Sequence, residues 1–249
     1  MKQRHTPFHH ARNVLLFVLV LVTLVATGCQ STVTGSGDVV EETRQVSGFT
    51  GVALAGIGEL IIELGDEEAL RIEAEDNLLE YIETEVKNET LEISIRRGIN
   101  LNPTKPLYFY LTVKSLNTIA ISGSGDIQAP DLVASQFTVN ISGSGDVTMG
   151  TLDADALTVA ISGSGNLEIA GGQAGKQNIA IAGSGRYRTG DLVSEAVQIT
   201  ISGSGDATVW ATETIDGQIS GSGNIKYYGH PQTSVSSSGS GMIESLGDR

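Results

Sequence analysis

Between residues 117 and 249 the apolar positions fall into rows that repeat about every twenty residues. One row is Ile121, Ile141, Ile161, Ile181, Ile201 and Ile219, and two residues before it run Ile119, Val139, Val159, Ile179 and Ile199. A third row is Ile127, Val147, Leu167, Tyr187, Ala207 and Ile225; Ala129, Met149, Ile169, Thr189, Val209 and Tyr227 follow two residues later. Leu132, Leu152 and Leu192 make another row, and Phe137, Leu157 and Val197 one more. Within each unit apolar and polar residues alternate, which is the period of a half-buried strand. Between the rows stands a Gly-Ser-Gly triplet that starts at Gly123, Gly143, Gly163, Gly183, Gly203, Gly221 and Gly239, so the steps are 20, 20, 20, 20, 18 and 18 residues.

A unit this short cannot bury its own apolar row. Stacked at ~4.8 Å, successive units set like residues above one another and fuse the rows into a continuous core. The pattern therefore predicts an all-β chain, a single-stranded right-handed parallel β-helix of about 20 residues per coil with three sides. Helices are disfavoured by the glycine punctuation and by the abundance of Val, Ile and Thr. Hairpin repeats, as in a propeller or barrel, are the alternative, but twenty residues are few for a four-stranded blade. The paired glycines Gly123 and Gly125, Gly143 and Gly145, Gly163 and Gly165, Gly183 and Gly185, Gly203 and Gly205, and Gly221 and Gly223 are expected at a corner, where positive φ suits glycine. The serines between them are expected to bond the turn backbone or one another up the stack.

Upstream, the pattern changes. ELIIEL, ALRIEA, LEISIR and YFYLTV alternate like strands, VKNETLEI reads as a hairpin around Lys87-Asn88, and Asp76 to Tyr81 fits one helical turn. Residues 46–116 are thus expected to form an N-terminal β-rich cap with the first coils, and 117–249 the repeats. Residues 29–45 are polar and read as a tether, with a reach of about 55 Å if fully extended. Residues 1–28 read as an export signal. Lys2, Arg4 and Arg12 precede the apolar run Val14 to Ala26, which is too short to span a bilayer, for which about 20 residues are needed. Ala-Thr-Gly-Cys at Ala26 to Cys29 looks like a lipobox, making Cys29 the expected site of lipidation and the membrane the partner it contacts. Gln30, rather than aspartate, after the cysteine favours the outer membrane in a cell that has one.

Charge narrows the partners. The chain has 15 Lys and Arg against 29 Asp and Glu; without residues 1–28 the balance is (15 − 3) − 29 = −17. Nucleic acid is held mainly by Lys and Arg, so such a surface repels it. The last motif position holds Asp126, Asp146, Asn166, Arg186, Asp206, Asn224 and Met242. Stacking brings like charges together, so Asp126, Asp146 and Asp206 form a candidate cation row, calcium being the fitting ion. The other reading is a row of solvated turn formers with Arg186 as neutraliser. No catalytic constellation emerges and no cofactor is expected. His230 is the one histidine after the export signal, no serine stands in a nucleophile elbow, and no helix follows the glycines to hold phosphate. Glu83 with Glu85, or Asp153 with Asp155, could imitate a glycosidase pair, but on an acidic protein such pairs read as solvated faces. Tyr108, Tyr110 and Trp210 are candidate aromatic contacts for a glycan or a cell-surface protein, with packing in the core or cap as the other reading.

Taken in order, SGFTGV (Ser47 to Val52), the segment Gly56 to Val86, the Gly-Ser-Gly-Asp/Asn units and YYGHP (Tyr227 to Pro231) resemble the bacterial head GIN domain family. That resemblance covers nearly all of residues 46–249. It implies a right-handed β-helix, a role in adhesion and no catalytic motif. The family's description as auto-transporter heads fits poorly with a lipid-anchor signal. From sequence, then, the expectation is a lipid-anchored cell-envelope protein with a structural, adhesive or binding β-helix; the alternative is a carbohydrate-binding or carbohydrate-active one.

Overall fold

A computed structural model describes residues 31–249; residues 1–28, read above as an export signal, the expected lipidation site Cys29 and Gln30 lie outside the described residues. The chain opens with β1 (Ser31–Thr34), β2 (Val39–Arg44), β3 (Gly51–Gly56), β4 (Glu59–Leu64) and β5 (Ala69–Glu75). A single 3-10 turn at Leu79–Tyr81 precedes β6 (Ile82–Lys87), β7 (Thr90–Ile95), β8 (Ile99–Asn102) and β9 (Tyr108–Val113). The coils follow as β10 (Thr118–Gly123), β11 (Asp126–Ala129), β12 (Leu132–Gly143), β13 (Val147–Gly163), β14 (Asn166–Gly183), β15 (Arg186–Gly203) and β16 (Asp206–Gly221). They end in β17 (Ile225–Tyr228), β18 (Gln232–Gly239) and β19 (Ile243–Ser245).

The coils pair in parallel, each residue with its counterpart one repeat later: Ile121 with Ile141, Ile141 with Ile161, Ile161 with Ile181 and Ile181 with Ile201. The result is a β-solenoid of about 6 turns with roughly 20 residues per turn. The ladders skip Gly150 opposite Ala170 and Asp155 opposite Gly175, which marks two corners. With the Gly-Ser-Gly corner these divide each coil into three sides. The expected rows are the core: the isoleucines from Ile121 to Ile219 are at most 2% exposed, and Phe137, Leu157 and Val197 are buried beside them. Each such side chain contributes about 1.5–3 kcal/mol relative to exposure.

Two departures from the regular row answer each other. Gln177 stands between Leu157 and Val197, and Tyr187 between Leu167 and Ala207, all fully buried or nearly so. The Tyr187 hydroxyl donates to Gln177 Oε1 at 2.6 Å, and Gln177 Nε2 donates to Ser194 Oγ at 2.6 Å. Polar groups inside the column are thereby satisfied by one another. Burial pushes the Tyr187 phenol well above its ordinary pKa. The shift from 20 to 18 residues also has a physical place. Thr189 pairs with Val209, and the next pair is Val193 with Trp210, so the coil of β16 omits the corner that Gly190 to Leu192 makes below it.

At the other end the strand direction changes. β7 and β9 form the coil beneath β3 and β4, pairing with them in parallel. Outside them β6 pairs antiparallel with β7, β5 with β9, and β2 with β5. The predicted hairpin is present, its two turn residues being Asn88 and Glu89 at φ 48° and 59°. Residues 31–44, expected to be a tether, are strands instead: β1 pairs with β8 and β2 with β5. A polar exposed edge strand lacks the apolar alternation that reveals a buried one, which is why its composition misleads. Gly35 to Asp38 repeats the letters of the coil corner without its geometry, because here positive φ falls on the second glycine, Gly37.

That turn is held by a buried carboxylate. Glu75, 1% exposed, accepts from the Gly37 N–H at 2.7 Å, from the Thr104 N–H at 2.8 Å and from the Thr104 hydroxyl at 2.5 Å. Burial alone would raise its pKa, but the bonds from Thr104, Gly37 and Lys105 together outweigh it and hold the carboxyl below the usual range. Asn77 adds a reciprocal pair, accepting from the Ser36 N–H and donating to the Thr34 carbonyl. Arg44 reaches the carbonyls of Leu79 and Ile82.

Candidate binding surface

The two glycines of each corner are required for different reasons. At Gly163 φ is +123° and a Cβ would drive into the Gly143 carbonyl oxygen of the coil below. Gly165 has no such φ; there a Cβ would strike the Gly145 carbonyl oxygen and approach Ile141 Cγ2 at 2.6 Å. Only the first glycine turns the corner, and the second lets consecutive coils touch. The positive φ expected at the corner is thus supplied by the first glycine of each pair. The serine between them presents its backbone: Ser164 N–H donates to the Gly143 carbonyl at 2.8 Å. Serine hydroxyls stacked along the column meet at Ser220 and Ser238, 3.3 Å apart.

The polar row beside the corner is a ladder of carboxylates and amides. Asp126 Oδ1 accepts from the Asp146 N–H at 3.0 Å, and Asp146 Oδ1 accepts from both the Asn166 N–H and its Nδ2 at 2.9 and 2.7 Å. Asp206 does the same for Asn224. One oxygen of each aspartate therefore grips the next coil, and alternation with asparagine separates most of the charges. Among the described residues no group of three or more His, Cys, Asp or Glu is placed to hold a metal ion.

The aromatic candidates divide into two places. Tyr108 and Tyr110 lie side by side on the outer face of β9, ring centroids 6.0 Å apart. The Arg71 guanidinium sits 3.9 Å over the Tyr110 ring and is itself held by Glu41 at 2.7 Å and Glu73 at 3.6 Å. One face of Tyr110 is thus already covered. Trp210 stands far along the stack, at the omitted corner, where it pairs with Tyr228. Both are half-buried outward residues, and Arg249 lies 4.7 Å over the Tyr228 ring while pairing with Asp191. Gly190 makes that possible, since a Cβ there would meet Tyr228 Cε2 at 3.0 Å. The register shift that clears this site is not legible as a motif; the 18-residue step is its one trace.

The remaining candidates are surface groups. His230 is exposed and pairs with Asp248 at 2.9 Å. Glu85 pairs with Lys87 at 2.6 Å and Glu83 with Arg96 at 3.5 Å. Asp153 and Asp155 line a shallow polar depression with Gln173, Glu195 and Thr212.

Residues 48–231 match the model of a family described as "Putative auto-transporter adhesin, head GIN domain". The chain belongs to this family. A solved structure, a "putative adhesin" of Bacteroides fragilis, is 28% identical with a TM-score of 0.81, covering 86% of this chain and 100% of its own. A "putative lipid binding protein" of Parabacteroides distasonis is 27% identical with a TM-score of 0.69, covering 87% of this chain and 100% of its own. A "putative adhesin" of Parabacteroides merdae, 20% identical at a TM-score of 0.67 over 86% of this chain and 99% of its own, shares the fold. No curated protein matches the chain. The head GIN assignment agrees with the β-helix and with the separated segments that first pointed to it.

Proposed function

We propose that this head GIN domain is a non-catalytic adhesive module of the cell envelope, attached by lipid at Cys29. The observation that carries the reading is the adhesin kinship of a chain whose outer faces are ladders of polar residues rather than a grouped set of reactive ones. The coil interior is filled by Phe137, Leu157 and Tyr187, so a partner meets the outside of the stack. Anchoring is supported by the lipobox-like Ala26 to Cys29 and by the position of Ser31, already in strand β1 at the cap. Two or more acyl chains suffice for lasting attachment, whereas one is marginal. The test is to display the full chain on cells with Cys29 intact or changed to Ser and to measure retention in the membrane fraction and adherence. Retention that ignores Cys29→Ser overturns the anchor; unchanged adherence on deleting the chain overturns the adhesive role.

A carbohydrate ligand is the second reading, favoured by Trp210 and Tyr228 standing outward on adjacent rungs. Aromatic faces stack on sugar rings, and glycan-array binding lost in Trp210→Ala would support it.

A further inference from the structure

The two ends of the stack differ in a way that selects a partner. At the cap, the outer strands β6 and β2 are antiparallel to their neighbours and carry Glu83, Glu85 and Lys87, and Glu41, Glu42 and Arg44, while the uncharged edge strand β1 is only four residues long. Charged edge residues of this kind block the addition of another strand. At the far end, β18 pairs only with β16 and leaves its other edge open. Its sequence, Gln-Thr-Ser-Val-Ser-Ser-Ser-Gly, has no charge and no proline, and every residue except Val235 is exposed. The inward positions end in Thr233 and Ser237, above Ile215 and Ile219, so the core stops while the backbone remains free to pair.

We propose that β18 pairs antiparallel with β18 of a second copy of this chain, joining two solenoids at their carboxyl-terminal ends about a two-fold axis. Three observations choose this occupant. The strand suits itself, since hydroxyls and one valine face their like without opposed charges, and Ser220 and Ser238 already meet across neighbouring rungs. Head-to-tail growth is disfavoured because β6 and β2 present charged antiparallel edges and β1 is only four residues long, whereas a two-fold contact closes after two copies. The last rung, residues 232–249, carries only Glu244, Asp248 and Arg249, while residues 31–116 hold 16 acids against 7 bases. Two acidic chains therefore meet where repulsion is least.

The contact is small, so a single pair is weak, and an array on a surface gains by multivalency. Resting on the adhesive reading, the geometry sets Ser31, two residues after Cys29, on the cap at opposite ends of the dimer, and the eight rung steps from Ile93 in the cap to Ser237 at the shared edge span about 40 Å on each side. Such a dimer bridges two envelopes rather than neighbours in one.

The test has two arms. The chain from Cys29 onward, carrying Cys29→Ser, is sedimented over a range of concentrations beside the same chain with Ser234→Lys and Ser236→Lys. Thr158→Lys, outward in the middle of the stack, is the control, and circular dichroism verifies folding. The lipidated chain is then placed on two dye-labelled vesicle populations to read clustering. Expected are a monomer–dimer equilibrium, at least tenfold weaker in the double variant and unchanged in the control, and clustering that falls with it. A wild-type chain that stays monomeric throughout, or a folded double variant that dimerises equally, overturns the edge pairing. Dimerisation without clustering leaves the pairing intact and removes the adhesive role, while clustering unaffected by the lysines does the reverse.

Discussion

The cap and the coils are built from the same extended backbone but are held by different forces. In the coils every rung repeats its neighbour: isoleucine rests on isoleucine, the corner glycines touch carbonyl to Cα, and an aspartate or asparagine grips the next N–H. In the cap β3, β4, β7 and β9 continue the rungs, but the strands outside them repeat nothing. Antiparallel strands close the stack, and single polar ties such as Glu75 to Gly37 and Thr104, or Arg44 to the Leu79 and Ile82 carbonyls, hold segments far apart in the chain. Coil stability is thus distributed over many equivalent contacts with nearest neighbours, while cap stability is concentrated in a few irreplaceable ones.

That contrast can be broken at its strongest point first. Gly163→Val places a Cβ against the Gly143 carbonyl at a φ that valine shuns, and should cost more than ~4 kcal/mol, whereas Ser164→Ala should stay within ~1 kcal/mol. Melting temperatures of the two variants decide it; comparable losses would remove the corner from its place as the tightest contact. In the cap, Glu75→Gln should loosen residues 31–44 and 102–105 while the coils remain protected, read by hydrogen exchange. Because the folded carboxyl titrates below its unfolded value of 4.5, its contribution is present above that pH and fades as acid takes the pH down through the folded value. Fraying of the amino-terminal strands should therefore precede coil unfolding in acid.

Within the coils the exception to the apolar rule is next in size. Tyr187→Phe leaves the Gln177 carbonyl buried without a donor and should cost about 1–3 kcal/mol, and adding Gln177→Leu should recover much of it. Since burial raises the Tyr187 pKa, its neutral form stabilises the fold up to the unfolded value of 10.0, and this contribution is lost as the pH climbs beyond it. A wild-type alkaline transition that Tyr187→Phe does not alter would contradict this. Smallest is Asp146→Ala, which frees the Asn166 N–H and should cost about 1 kcal/mol. Because the Asp126 and Asp146 oxygens that face the next rung already accept hydrogen bonds, millimolar calcium should leave the melting temperature where it was.

The same contrast explains what could be read from the chain beforehand. Rows such as Ile121 to Ile219 announce themselves because each member repeats the environment of the last, and the cap strands Glu59–Leu64 and Tyr108–Val113 were visible from local alternation. Glu75 carries no local mark of burial: it is one acid among many, and its partners Gly37 and Thr104 lie 38 and 29 residues away. The strands of residues 31–44 were missed for the same reason. Tyr110 was visible as an aromatic but not as one already covered by Arg71, because that contact depends on the antiparallel pairing of β5 with β9.

The in-register corners carry a consequence for how such a protein changes its size. Because the Gly143 corner and the Gly163 corner present the same atoms to the same neighbours, a duplicated segment of twenty residues would slot between them without any new interface having to be invented. Each insertion would raise the column by about 4.8 Å and move the far edge outward by that step. The height of the molecule is therefore a quantity its gene can count in whole units, with the cap and the final rung left as they are.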